Sequence, residues 1–287
     1  MHKIYYISKN PKCTLWDGMW SSRTIDQELE ACKIEWAPKL MFLKYLDKEN
    51  KIIDAGCGFG KWVIFLKNRG YNIIGIDNNE IAISKLKTYD NTLNIQYGDI
   101  LNLDFPDNSF DAYISMGVVE HFLEGPDKAL KEAYRIIKPG GLLFLSTPTV
   151  NIIRKIFGQF TINLINKLPN LFSFILEFFN KNKKYRNKKD KNNKDRFKHF
   201  IEYRFTISEL QAYIRKNNFE ILETVPHDFP GSRKHAIGLA VDFPFFKAPY
   251  SVNFKLNFLG IIISNILNSL SPWIASASTL YVARANK

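Results

Sequence analysis

Between residues 50 and 147 short apolar runs alternate with segments whose apolar positions recur at helical spacing. Lys51-Ile52-Ile53, Asn72-Ile73-Ile74-Gly75-Ile76, Asn94-Ile95-Gln96-Tyr97, Ser109 to Ser115 and Leu142 to Ser146 read as strands. The intervening segments read as helices. Trp62, Phe65 and Leu66 share a face before Gly70, and Asn78 or Asn79 caps a run carrying Ile81, Ile83 and Leu86. Pro126 opens a third helix with Leu130, Ala133, Tyr134 and Ile137 on one face, ended by Pro139-Gly140-Gly141. Strands alternating with helices predict a parallel sheet.

Around this core, residues 50–149, the pattern changes. Residues 1–49 form a leader with Trp16, Trp20 and Trp36 and an amphipathic run ending in Met41-Phe42-Leu43-Lys44-Tyr45-Leu46, read as a loop followed by a helix. Residues 150–204 are an insertion after the fifth strand, placed over the acceptor site because ligands of open parallel sheets bind beyond the carboxyl ends of the strands. In it Ile153, Ile156, Phe157, Phe160, Leu164 and Leu168 lie at helical spacing, 171–179 is apolar nearly all round, and a basic run follows. Residues 205–287 return to the core with a helix opened by Phe205 to Leu210, a strand at Phe219 to Leu222 and a last strand at Thr279 to Arg284. Within them an apolar island, 250–275, is too short and too polar to read as a membrane span; it suits an interfacial amphipathic helix or a buried one.

The chemistry sits at the first strand-to-helix junction. Asp54-Ala55-Gly56-Cys57-Gly58-Phe59-Gly60 follows an apolar run, and Asp77 ends the next, as expected of a glycine turn and a ribose-binding carboxylate. The glycines are spaced G-x-G-x-G rather than in the G-x-G-x-x-G of dinucleotide folds, and Asp54 would repel a pyrophosphate. A carboxylate there suits a ligand bearing an ammonium and a sulfonium, S-adenosylmethionine. In order follow Gly98-Asp99-Ile100, Val118-Val119-Glu120-His121 and Lys138-Pro139-Gly140-Gly141. With these elements the chain resembles the class I S-adenosylmethionine-dependent methyltransferases of the small-molecule type.

The resemblance implies an α/β fold, a doubly wound, seven-stranded, mostly parallel Rossmann-like sheet with a helical insertion after strand five and an antiparallel last strand. It implies that Asp77 holds the ribose, and that Asp54, Gly56, Cys57, Gly58, Gly60, Ser115, Met116 and Gly117 frame the methionine end. Asn78 and Ile100 would flank the adenine, with Asp99 accepting its amino hydrogens. A Glu-x-x-Glu-His segment binds a divalent metal in some relatives; here Gly117 replaces the earlier glutamate, so no metal is expected. His121 is read either as a base at the acceptor face or as a polar wall, and His227, beside Asp228, as a base or a strand terminator.

Length and composition complete the picture. The 287 residues suffice for one large α/β domain, no secretory signal is read at the start, and Cys13, Cys32 and Cys57 form neither a disulfide framework nor a metal spacing, which points to a reducing cytoplasm. Ten basic residues against two acidic ones in 181–198 supply eight of the net twelve positive charges, as a solvated loop or as a binding segment. The expected activity is methyl transfer to a small-molecule, glycan or lipid-linked acceptor, by O-methylation, at the inner face of the membrane. The alternatives are an RNA methyltransferase using 181–198 and a non-catalytic cofactor-binding protein. Against RNA, the segment after the fourth strand is Ser115-Met116-Gly117-Val118, without the Asn/Asp-Pro-Pro-aromatic motif of amino-methylating nucleic-acid enzymes.

Overall fold

The computed structural model describes residues 2–8, 24–151, 197–227 and 262–287, apart from 263, 264 and 268. Trp16, Trp20, the helical and apolar segments of the insertion, most of the basic run, Asp228 and the start of the apolar island lie outside the described residues.

Among the described residues nine strands form two sheets: β1 (His2–Ser8), β2 (Lys51–Ala55), β3 (Asn72–Asp77), β4 (Ile95–Tyr97), β5 (Phe110–Met116), β6 (Ile137–Pro148), β7 (Phe197–Arg204), β8 (Phe219–His227) and β9 (Ser278–Ala285). The larger has the order β4-β3-β2-β5-β6-β9-β8, with β9 antiparallel to both neighbours and the remaining pairings parallel. The expected seven-stranded, mostly parallel sheet is thus observed. Strand order reverses between β2 and β5, so a crevice opens at their carboxyl ends, where such folds bind ligands.

The α-helices named among the described residues are α1 (Ile25–Ile34), α2 (Trp36–Tyr45), α3 (Lys61–Lys67), α4 (Glu80–Tyr89), α5 (Asp127–Ile136), α6 (Ile207–Lys216) and the short α7 (Pro272–Ala275). Local chemistry sets several boundaries. Thr24 with Gln27 and Thr206 with Glu209 form capping boxes, and the Asn79 side chain accepts the Ala82 amide at the start of α4. One face of the sheet buries Leu130, Ala133, Leu210 and Ile214 of α5 and α6; the other buries Phe42, Trp62, Val63 and Leu86 of α2, α3 and α4.

Three boundaries differ from the sequence reading. The helix opened by Pro126 stops at Ile136; Ile137 is already strand and pairs with Phe110. Pro139 disfavours helical backbone at the residue before it, so the chain leaves the helix early and Ile137 is buried as a strand residue. The leader begins with a strand and carries two helices broken at Glu35. Phe197–Arg204, read as the tail of the insertion, pairs antiparallel with β1 in a two-stranded ribbon. That ribbon joins the main sheet where Thr149 bridges Phe205.

The leader is fastened by aromatic packing. Phe42 of α2, fully buried, meets Trp62 of α3 and Phe144 of β6 edge to face, at centroid distances of 5.3 and 5.2 Å. Phe42→Ala is expected to destabilise the protein by roughly 3–5 kcal/mol, read as a lower midpoint in urea.

Candidate functional site

At the end of β2 the chain turns through Gly56, Gly58 and Gly60, with φ of 84°, 52° and 64°. These are left-handed conformations that side chains resist. At Gly56 space is also lacking, since a Cβ would stand 2.5 Å from a Val118 methyl. Gly56→Ala is therefore expected to cost on the order of 3 kcal/mol of stability, and adding Val118→Ala recovers only the packing part, as comparative thermal melts would read.

Asp77, buried at the end of β3, closes this turn. Its Oδ2 accepts the Gly58 amide at 2.7 Å and its Oδ1 the Asn79 amide at 2.8 Å. Burial raises its carboxyl above the ordinary range, and these backbone N–H groups oppose that rise. Each oxygen keeps acceptor capacity for a ribose hydroxyl.

Asp54 differs. It is 2% exposed, and its Oδ2 has no hydrogen-bond partner among the described residues. Burial pushes its carboxyl up to about 7; Lys61 pulls down and Asp77 pushes up. A buried carboxyl left unsatisfied is expensive. Its place fits the ammonium end of S-adenosylmethionine, whose charge would ionise it and supply the missing donor. The residues present therefore fit the cofactor the resemblance implies.

The remaining expected residues divide. Ser115 is fully buried at the end of β5, its Oγ without a partner among the described residues, and Met116 and Gly117 follow it into the crevice. Cys57 is buried, and burial with Asp54 and Asp77 nearby drives its thiol up, so it is a space-filling turn residue and no nucleophile. Ile100 is buried in the core, whereas Asn78 and Asp99 are exposed, and the Asp99 carboxylate accepts the Leu101 amide at 2.9 Å.

The two histidines play different structural parts. His121, in a 3₁₀ turn at Val119–His121, donates from Nδ1 to the Ile201 carbonyl at 2.7 Å and so holds the β1–β7 ribbon. Its Nε2 lies 3.7 Å from Oε1 of buried Glu120. Burial lowers the His121 pKa, which favours the neutral imidazole, and raises the Glu120 carboxyl well above its ordinary value. His227, buried at the end of β8, has Nδ1 2.9 Å from Ser146 Oγ and Nε2 3.5 Å from Glu35 Oε2. Sequence reading missed Glu35, Lys61 and Ser146. One signal was present: Lys61 opens a helix at the end where the macrodipole disfavours a cation, which asks for a nearby anion.

Among the described residues no group of three or more His, Cys, Asp and Glu side chains is arranged to hold a metal ion. No helix among them is long and apolar enough to cross a membrane.

Comparison with known proteins agrees with this geometry. A family model described as a methyltransferase domain matches residues 53–145. A demethylmenaquinone methyltransferase of Staphylococcus epidermidis is 30% identical over 156 residues, covering 51% of this chain and 59% of that relative's length. The chain thus spans less than two thirds of that relative. In fold it is similar to the methyltransferase solved in complex with the Haloferax volcanii Trm112 methyltransferase activator, with a TM-score of 0.58 at 16% identity over 96% of this chain and 99% of that one. It is also similar to an S-adenosylmethionine-dependent methyltransferase of Methanosarcina mazei, with a TM-score of 0.51 at 18% identity over 85% and 96% of the two chains. With its glycine turn, its two acidic strand ends and its strand order, the chain carries over residues 53–145 a segment that matches the methyltransferase-domain family, in a fold shared with solved methyltransferases.

Proposed function

We propose that the protein transfers a methyl group from S-adenosylmethionine to a hydroxyl of a small-molecule or lipid-linked acceptor at a membrane surface. The observation that carries the reading is the buried Asp54 Oδ2, without a hydrogen-bond partner among the described residues, beside the Asp77-closed glycine turn. When bound, the cofactor supplies an electrophilic methyl on a sulfonium. The chain's own residues then hold the cofactor's ends, exclude water and orient the acceptor.

A hydroxyl acceptor sheds a proton on methylation. Of the two candidate bases, His121 lies next to the Met116-Gly117 crevice and is kept neutral by burial, as a proton acceptor must be. His227 is engaged by Ser146 and Glu35. A lipid-linked acceptor is supported by the name of the Staphylococcus relatives, demethylmenaquinone methyltransferase. Membrane contact is supported by Ile262, Ile266 and Leu270, which are exposed at helical spacing, together with the basic run.

The test uses cofactor labelled in its methyl group with a cell extract, separated into lipid, small-molecule, protein and RNA fractions, and the labelled product is analysed for an O-methyl ether. An O-methyl label in the lipid or small-molecule fraction supports the proposal, and label there on carbon overturns its hydroxyl part. Label confined to RNA overturns it in favour of nucleic-acid methylation. No sedimentation with anionic liposomes at low salt removes the membrane part.

A further inference from the structure

Resting on the cofactor reading above, the structure points to a role for Glu35 that the glycine-turn signature does not contain. Lys61 is the first residue of α3, directly after the turn, and stands close enough to Asp54 to oppose the effect of burial on its carboxyl. A lysine there is the natural partner for a buried, unsatisfied carboxylate. The ammonium of Lys61 is instead held by Glu35 Oε1 at 2.7 Å, while Asp54 Oδ2 has no partner among the described residues.

Glu35 is well fixed for this. It is 1% exposed at the break between α1 and α2, so the backbone of the leader sets its position. Its second oxygen lies 3.5 Å from His227 Nε2, and His227 is tied through Nδ1 to Ser146 Oγ at 2.9 Å. Ser146 in turn is the register partner of Met116, at the crevice. A carboxylate is required to hold a cation at the N-terminus of α3, where the macrodipole is unfavourable to it.

We infer that Glu35 is a positioning residue for cofactor binding: it draws Lys61 aside so that Asp54 stays open to the ammonium of S-adenosylmethionine. Without the Glu35 charge, Lys61 pairs with Asp54 and competes with the ligand for the same carboxylate. Glu35 of the leader thereby acts on the cofactor site through Lys61.

The experiment is calorimetric titration of the full chain with S-adenosylmethionine. Glu35→Gln keeps volume and hydrogen bonding but not charge, and is expected to weaken binding about tenfold or more. Glu35→Gln combined with Lys61→Met removes the competitor as well, and is expected to return affinity to within about threefold of wild type. That rescue is a readout a merely structural role would not give. The inference is overturned if Glu35→Gln binds within about twofold of wild type, or if the folded double variant, checked by circular dichroism, binds as weakly as the single one. Absence of binding in the wild-type protein overturns the cofactor reading, and the inference with it.

Discussion

Replacing Asp54 by asparagine is expected to abolish cofactor binding while raising the melting temperature of the ligand-free protein at about pH 8. Both effects follow from one buried charge. In the folded protein the Asp54 carboxyl titrates at about 7, against 3.8 as its ordinary value, because burial disfavours the ionised form more than Lys61 favours it and Asp77 adds repulsion. A carboxyl raised on folding binds its proton more tightly in the native state, so stability from this group is lost as pH rises from the unfolded to the folded value. Above about pH 7 the folded protein carries the full cost of an ionised, unpaired group, up to about 4 kcal/mol, and asparagine does not. Thermal melts of wild type and variant should therefore diverge at about pH 8 and converge at about pH 4. A variant less stable than wild type at the higher pH would show that Asp54 is satisfied in solution.

The same titration governs ligand affinity. An ammonium placed against Asp54 lowers its pKa, so binding below about pH 7 releases a proton and the affinity grows with pH, by up to about tenfold per unit. Above that pH the affinity is flat until the ligand's own amino group deprotonates. Calorimetry in buffers of different ionisation enthalpy reads the released proton directly. The groups facing Asp54, namely Lys61 on α3 and Asp77 on β3, shift the midpoint without changing the sign.

What could be read from the sequence was what lies close together along it. The glycine turn, the acidic end of β3 and the alternation of strands and helices are contiguous patterns, and each forms where expected. The β1–β7 ribbon was not legible, because His2 pairs with Arg204 across nearly the whole chain and no short turn announces the pairing. The Glu35 network escaped for the same reason: its members come from the leader, α3, β6 and β8, and only packing brings them together. Ile137 was misplaced by reading helical spacing past the point where Pro139 ends it. His227 was found by residue type, but its buried place between Ser146 and Glu35 depends on tertiary structure alone.

Asp77→Ala should lose the cofactor as completely as the Asp54 variant but move stability the opposite way. Asp77 is also buried and its carboxyl also raised, yet its oxygens are both occupied by amides, those of Gly58 and Asn79. Alanine leaves the buried Gly58 N–H without its acceptor and frees the turn whose left-handed glycines that bond holds in place. An orphaned buried amide costs about 1–3 kcal/mol, so the ligand-free variant is expected to melt lower than wild type. Cofactor affinity should fall by roughly 100-fold or more, since hydrogen bonds to a charged acceptor contribute about 1.5–3 kcal/mol each and two ribose hydroxyls lose theirs. Calorimetry and thermal melts on the two variants together discriminate between the two acids. Equal stabilisation by both would mean that the amides of the turn find water instead of Asp77, and that burial of charge is the only cost either residue imposes.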